Sequence, residues 1–96
     1  MNSDINKKLK PLTLEEIRKL SPEAAVSELN ILIELNPGNE EALTLRGMRY
    51  WALNRRDLAI NDYLAAIKIN PQSNARMALQ MAYSILDYYN KDLLNP

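Results

Sequence analysis

The segment Ala25-Val-Ser-Glu-Leu-Asn-Ile-Leu-Ile-Glu-Leu-Asn-Pro37 returns without a gap as Ala59-Ile-Asn-Asp-Tyr-Leu-Ala-Ala-Ile-Lys-Ile-Asn-Pro71, an offset of 34 residues. Ala25/Ala59, Ile33/Ile67, Asn36/Asn70 and Pro37/Pro71 are identical, and Val26/Ile60, Glu28/Asp62 and Leu35/Ile69 are conservative replacements. A fixed period of this length means that one supersecondary unit is stacked on itself, each copy burying the face its neighbour cannot bury alone. No segment alternates apolar and polar residues with period two over a useful length, so the repeated unit is helical.

Helix punctuation follows the same period. Thr13 with Glu16 forms a capping-box pattern ahead of Ile17 and Leu20, which predicts a first helix of about two turns. Ser21, with Pro22 at the first helical position, predicts the cap of a second helix that Pro37-Gly38 ends. Asn39 followed by Glu40 and Glu41 opens a third, with both carboxylates near the positive end of the helix dipole. Asn54 to Asp57 reads as the next turn, with Asp57 capping a fourth helix that runs to Asn70 and stops at Pro71. Ser73 or Asn74 then caps a fifth, reaching about Tyr89.

Residues 40–73 resemble the tetratricopeptide repeat (TPR) over its full length. Leu43 stands where the family signature has Trp, Gly47 at its Gly and Tyr50 at its Tyr; Ala59, Tyr63 (for Phe), Ala66 and Pro71 complete the second half. Gly47 and Ala59 are small where two helices cross closely, Tyr50 and Tyr63 fill the space around them, and Pro71 ends the hairpin. Arg46 departs from the pattern, standing where an apolar Leu is usual; its stem can pack while the guanidinium stays wet. The preceding unit resembles the family only in its second half, through Ala25, Leu29, Leu32 and Pro37, whereas Pro11 and Thr13 erode its first helix. Residues 74–89 look like a third first-helix serving as a solvating cap. More loosely, the chain resembles short single-domain bacterial proteins of this type that end in a Tyr-Asn-Lys-Asp tail, here Tyr89 to Asp92. The resemblance thus implies an all-α, right-handed superhelical stack of antiparallel helix hairpins, about two units plus a cap, five helices in all. The expected organisation is a flexible segment 1–12, a helical domain 13–89 made of a degenerate repeat 13–39, a full repeat 40–73 and a cap 74–89, and a tail 90–96.

Composition agrees with one small domain: 96 residues, 47% hydrophobic and 25% charged. Cys and His are both absent, which removes disulfides, thiolate nucleophiles, zinc-thiolate sites and the commonest general base. The paired carboxylates Glu15-Glu16 and Glu40-Glu41 sit at helix starts as dipole partners and do not face each other across a pocket, so no catalytic residue, metal site or cofactor is assigned and no enzyme is expected. Twelve basic residues balance twelve acidic ones, giving no net field toward nucleic acid or an anionic membrane. The balance is uneven locally. Seven Glu lie between Glu15 and Glu41 against Arg18 and Lys19, and Arg46, Arg49, Arg55 and Arg56 follow; charge balance between neighbouring helices accounts for this more simply than a nucleic-acid site. The Lys7-Lys8-x-Lys10 start has no apolar core behind it, and no apolar run reaches the ~20 residues of a membrane span, so a cytoplasmic location is expected.

In the TPR family the first helix of each repeat lines a groove that takes a peptide or a partner helix. Carried over by position, the groove face of the central repeat is Glu41, Thr44, Met48, Trp51 and Ala52. Trp51 and Met48, three apart, suit an anchor for an apolar side chain; equally, Trp51 packs on the first helix or on the cap. Some TPR proteins grip chaperone carboxylate tails with Lys and Asn at positions held here by Thr44 and Met48, so that activity is not implied. On the cap helix Arg76, Gln80, Ser84 and Asp87 share one polar arc and apolar residues occupy the rest, Ala82, Ile85 and Tyr89 among them. One packing partner cannot cover so wide an arc. Either the chain's own tail, with Leu93 and Leu94, covers the surplus, or a second molecule does. The expected function is therefore non-enzymatic binding of a protein or peptide, with assembly of a homo-oligomer through the cap helix as the alternative.

Overall fold

Four of the five helix starts form where a capping side chain predicts them. A computed structural model describes residues 10–94, in which α1 spans Leu14–Arg18, α2 Pro22–Leu35, α3 Glu40–Ala52, α4 Arg56–Ile69 and α5 Ala75–Leu94. The protein is all-α as expected, with no strand among the described residues. At α1 the capping box closes in both directions: Glu16 N–H donates to Thr13 Oγ1 at 3.2 Å and Thr13 N–H donates to Glu16 Oε1 at 2.9 Å. Ser21 Oγ accepts from Ala24 N–H with Pro22 in the first turn of α2, and Asn39 Oδ1 accepts from Ala42 N–H at the start of α3. Ser73 Oγ accepts from Ala75 N–H at the start of α5.

Asp57 is not a cap. The first residue of α4 is Arg56, Arg55 occupies the cap position, and no side chain bonds there. The end of α3 explains the shift. Asn54 adopts the left-handed conformation (φ 62°), Arg55 N–H reaches back to Tyr50 O at 2.8 Å and Asn54 N–H to Trp51 O at 3.0 Å, the paired bonds of a Schellman closure. That closure delivers Arg55 directly into the next helix, and Asp57 falls inside the first turn, where its charge still faces the positive helix end.

The fifth helix also outruns its expected end at Tyr89. Residues 90–94 continue it, so this part of the expected tail does not return across the helix. Nothing between Tyr89 and Leu94 is Gly or Pro, and Asn90 alone does not stop a helix. Residues 1–9 of the expected flexible segment and 95–96 of the expected tail lie outside the described residues.

Packing runs chiefly between helices consecutive in sequence. Ile17, Ala25, Leu29, Ala42 and Leu45 form one buried cluster; Leu43, Ala59, Tyr63, Ala66, Ala75 and Ala82 form the other. Helix α3 contributes to both, Ala42 and Leu45 toward α1 and α2, Leu43 toward α4 and α5, and is therefore the central layer. Its crossing with α4 is as close as a backbone allows: a Cβ placed on Gly47 would stand 2.6 Å from Tyr63 Cε1, 2.8 Å from Cδ1 and 3.1 Å from Ala59 O. As α3 advances from Arg46 to Tyr50, its partners retreat from Asp62 to Arg55, so the two helices are antiparallel.

Arg46 behaves differently from the expectation of a wet guanidinium. Its Nε donates to Asp62 Oδ2 and its Nη2 to Asp62 Oδ1, both at 2.8 Å, while Nη1 donates to Asn30 Oδ1 at 2.9 Å. The group stands 5.7 Å from the centre of the Tyr50 ring. Asp62 is buried, 5% exposed, so the pair is a bidentate ion pair at the edge of the core that fastens α2, α3 and α4 together. The hydrogen bonds that Asp62 accepts, helped by its charge, hold the guanidinium protonated more firmly than in water. No helix among the described residues is long and apolar enough to cross a membrane.

Candidate functional site

Helical spacing places Glu41, Thr44, Met48 and Trp51 along one side of α3. At the lower end of that row Met48 and Trp51 meet Met81, Ala82 and Ile85 of α5 over the ring of Tyr63, enclosing a cleft of about 220 Å³. Ala82 and Ile85 stand 34 residues after Met48 and Trp51, the same offset that separates the two repeated segments. Its floor is buried and its rim open: Tyr63 and Ala82 are buried, whereas Met48, Ile85 and above all Met81, at 61%, are exposed. Burial pushes the Tyr63 hydroxyl pKa up, so the floor stays uncharged at neutral pH. Met81 was not among the expected site residues. It lies one turn before Ile85 on the same apolar arc, and that spacing was the available signal.

A second, more polar cavity of about 250 Å³ adjoins the first, walled by Arg18, Glu40, Glu41, Thr44, Met48 and Ser73. Met48 belongs to both. Here the starts of α3 and α5 are tied by one carboxylate: Ser73 Oγ donates to Glu40 Oε2 at 2.6 Å and Asn70 Nδ2 donates to Glu40 Oε1 at 3.2 Å. Thr44 Oγ1 lies 2.9 Å from Glu40 O, 3.1 Å from Glu40 Oε2 and 3.3 Å from Ser73 Oγ. The Ser73 hydrogen bond, with lesser help from those of Asn70 and Thr44, holds the Glu40 carboxyl below its ordinary value against the opposing effect of burial.

A lowered folded-state pKa stabilises above the unfolded value and is lost as pH falls through the folded one. Glu40 is therefore expected to add about 1 kcal/mol at pH 7, modest because the group is partly open to solvent. Melting curves of the wild type and Glu40→Gln should differ by that amount at pH 7, and the gap should close only as pH falls below the ordinary carboxylate range. A gap that persists unchanged at pH 3 would rule the ionised carboxylate out as its source.

Three expected site residues take other roles. Thr44 is buried and engaged with Glu40 and Ser73, so it is wall rather than contact surface. Ala52 is exposed but lines neither cavity. Tyr89, also exposed, is turned toward Arg56, whose guanidinium lies 5.7 Å from the Tyr89 ring centre and 4.9 Å from that of Trp51. Trp51 is consequently half-buried, one side covered by Arg56 and the cap helix and the rest bordering the cleft. Of the four arginines that follow Glu41, Arg46 is on Asp62, Arg55 Nε is 3.9 Å from Asp57, and Arg56 lies against the Trp51 and Tyr89 rings. Among the described residues no group of three or more Asp or Glu is placed to hold a metal ion. No family model, curated protein or solved structure matches the chain.

Proposed function

We propose that this chain is a TPR-type interaction module, a cytoplasmic, superhelical stack of hairpins that binds a peptide or a partner helix and performs no chemistry. The observation that carries the reading is the cleft between α3 and α5, where Met48, Trp51, Met81 and Ile85 surround a buried floor. At about 220 Å³ it is smaller than the ~300–1,000 Å³ usual for small-molecule sites, and it suits one or two inserted side chains of a protein partner. Flexible Met side chains beside a half-buried Trp provide the adaptable anchor pocket that concentrates binding energy.

Trp51 is the only tryptophan, so its emission reports occupancy of the cleft directly. Peptides selected on the wild type from a random 16-residue display library are expected to shift that emission and to bind at least tenfold more weakly to Ile85→Asp or Met81→Glu. Selected peptides that bind both variants unchanged, with the helical circular dichroism intact, would remove the cleft from consideration.

A second reading, assembly of copies through the outer flank of α5, is favoured by Met77 and Tyr88, which are 70% and 64% exposed. Sedimentation velocity over a hundredfold concentration range separates the two, because a constant monomer excludes assembly.

A further inference from the structure

The two adjoining cavities differ in charge, and from that difference we infer that the ligand of this groove is a cationic amphipathic segment of another protein, with an apolar side chain in the Met48/Trp51/Ile85 cleft and a Lys or Arg beside Glu41. The inference rests on the groove reading above and adds the chemistry of the partner. Because Met48 walls both cavities, one continuous ligand can occupy them together. Glu41 is exposed and enters no ion pair among the described residues. Glu40 is held in place by Ser73, Asn70 and Thr44, all neutral, so its position is fixed while its charge is not cancelled. The one guanidinium on the wall, Arg18, has its Nε 3.7 Å from Glu15. On the wall itself two carboxylates, Glu40 and Glu41, face one guanidinium that leans toward Glu15 outside it, so the side chains at this end of the groove carry a net negative charge. The other end is apolar. An apolar ligand without charge would use only half of the surface, and an acidic one would be repelled at Glu41.

The spacing follows from α3 itself. Glu41 and Met48 are seven residues apart, about 10 Å along the helix axis. A ligand matches this with anchor and cation two turns apart if helical, or about three residues apart if extended.

The test uses a random 16-residue display library selected in parallel on the full chain and on Glu41→Lys and Glu41→Gln, with circular dichroism confirming that both variants stay folded. Wild-type binders should carry Lys or Arg at one of these spacings from an apolar residue, and replacing that cation by Ser should weaken binding about tenfold at low salt and less at high salt. Selection on Glu41→Lys should exchange the cation for Asp or Glu, and Glu41→Gln should relax the preference. Binders that shift Trp51 emission but show no charge preference, or an acidic one, overturn this inference and leave the groove reading standing. A library that yields no binder shifting Trp51 emission overturns the groove reading itself.

Discussion

Replacing Arg46 by Met is expected to lower folding stability by about 3–5 kcal/mol, a large share of the ~5–15 kcal/mol that holds a domain together. The loss does not measure the worth of the ion pair. It reflects what remains afterwards, since Asp62 is 5% exposed and both its oxygens take their hydrogen bonds from Arg46. The converse change, Asp62→Leu, should cost less, because the Arg46 side chain is 21% exposed and keeps Asn30 as an acceptor. With both replaced, the edge of the core becomes apolar and most of the loss should return. Urea denaturation of the four proteins decides the matter: losses in the double variant equal to the two single losses added together would show that the residues do not act as a pair.

Gly47→Val should cost about 3 kcal/mol or more and lower the melting temperature by more than about 12 °C, a bulk effect at a crossing with no room for a side chain. The first carbon alone would stand 2.6 Å from a ring atom of Tyr63, which is itself 3% exposed and cannot swing aside, and 3.1 Å from the carbonyl oxygen of Ala59, which belongs to the backbone. The two obstacles can be separated. Tyr63→Leu removes the ring and leaves the carbonyl, so on that background the valine should cost clearly less, although not nothing. An equal cost on both backgrounds would place the strain at the backbone contact and not at the ring.

The crossing was legible because it is recorded in residue size: Gly47, Ala59 and Ala66 are small at helical spacing, and Tyr50 and Tyr63 flank them. The starts of α1, α2, α3 and α5 were legible because each cap and the amide it binds lie within three residues. The Arg46–Asp62 pair was not, since its members are 16 residues apart and Asp62 read as a conservative counterpart of Glu28. Nor was the burial of Thr44, which depends on Ser73, 29 residues further along the chain. Asp57 misled because a Schellman closure ends α3 so abruptly that Arg55 falls at the cap position, with no side-chain hydrogen bond to the next helix. At the candidate site, Met48 and Trp51 came from the family resemblance and Ala82 and Ile85 from the apolar arc of the cap helix, and one cleft brings the four together, whereas Tyr89 is drawn off by Arg56, a contact between positions 33 apart that no local pattern encodes.

The sequential packing of the helices has a consequence for how the molecule opens. With burial gained mainly from the preceding and following helix, the two ends have one neighbour each and the middle has two. Amide protons should therefore exchange with deuterium in a graded order, fastest in α1 and toward the end of α5, and slowest where α3 and α4 face each other at Gly47 and Ala59. The molecule would then loosen from its extremities inward, as a short zipper does, and not all at once.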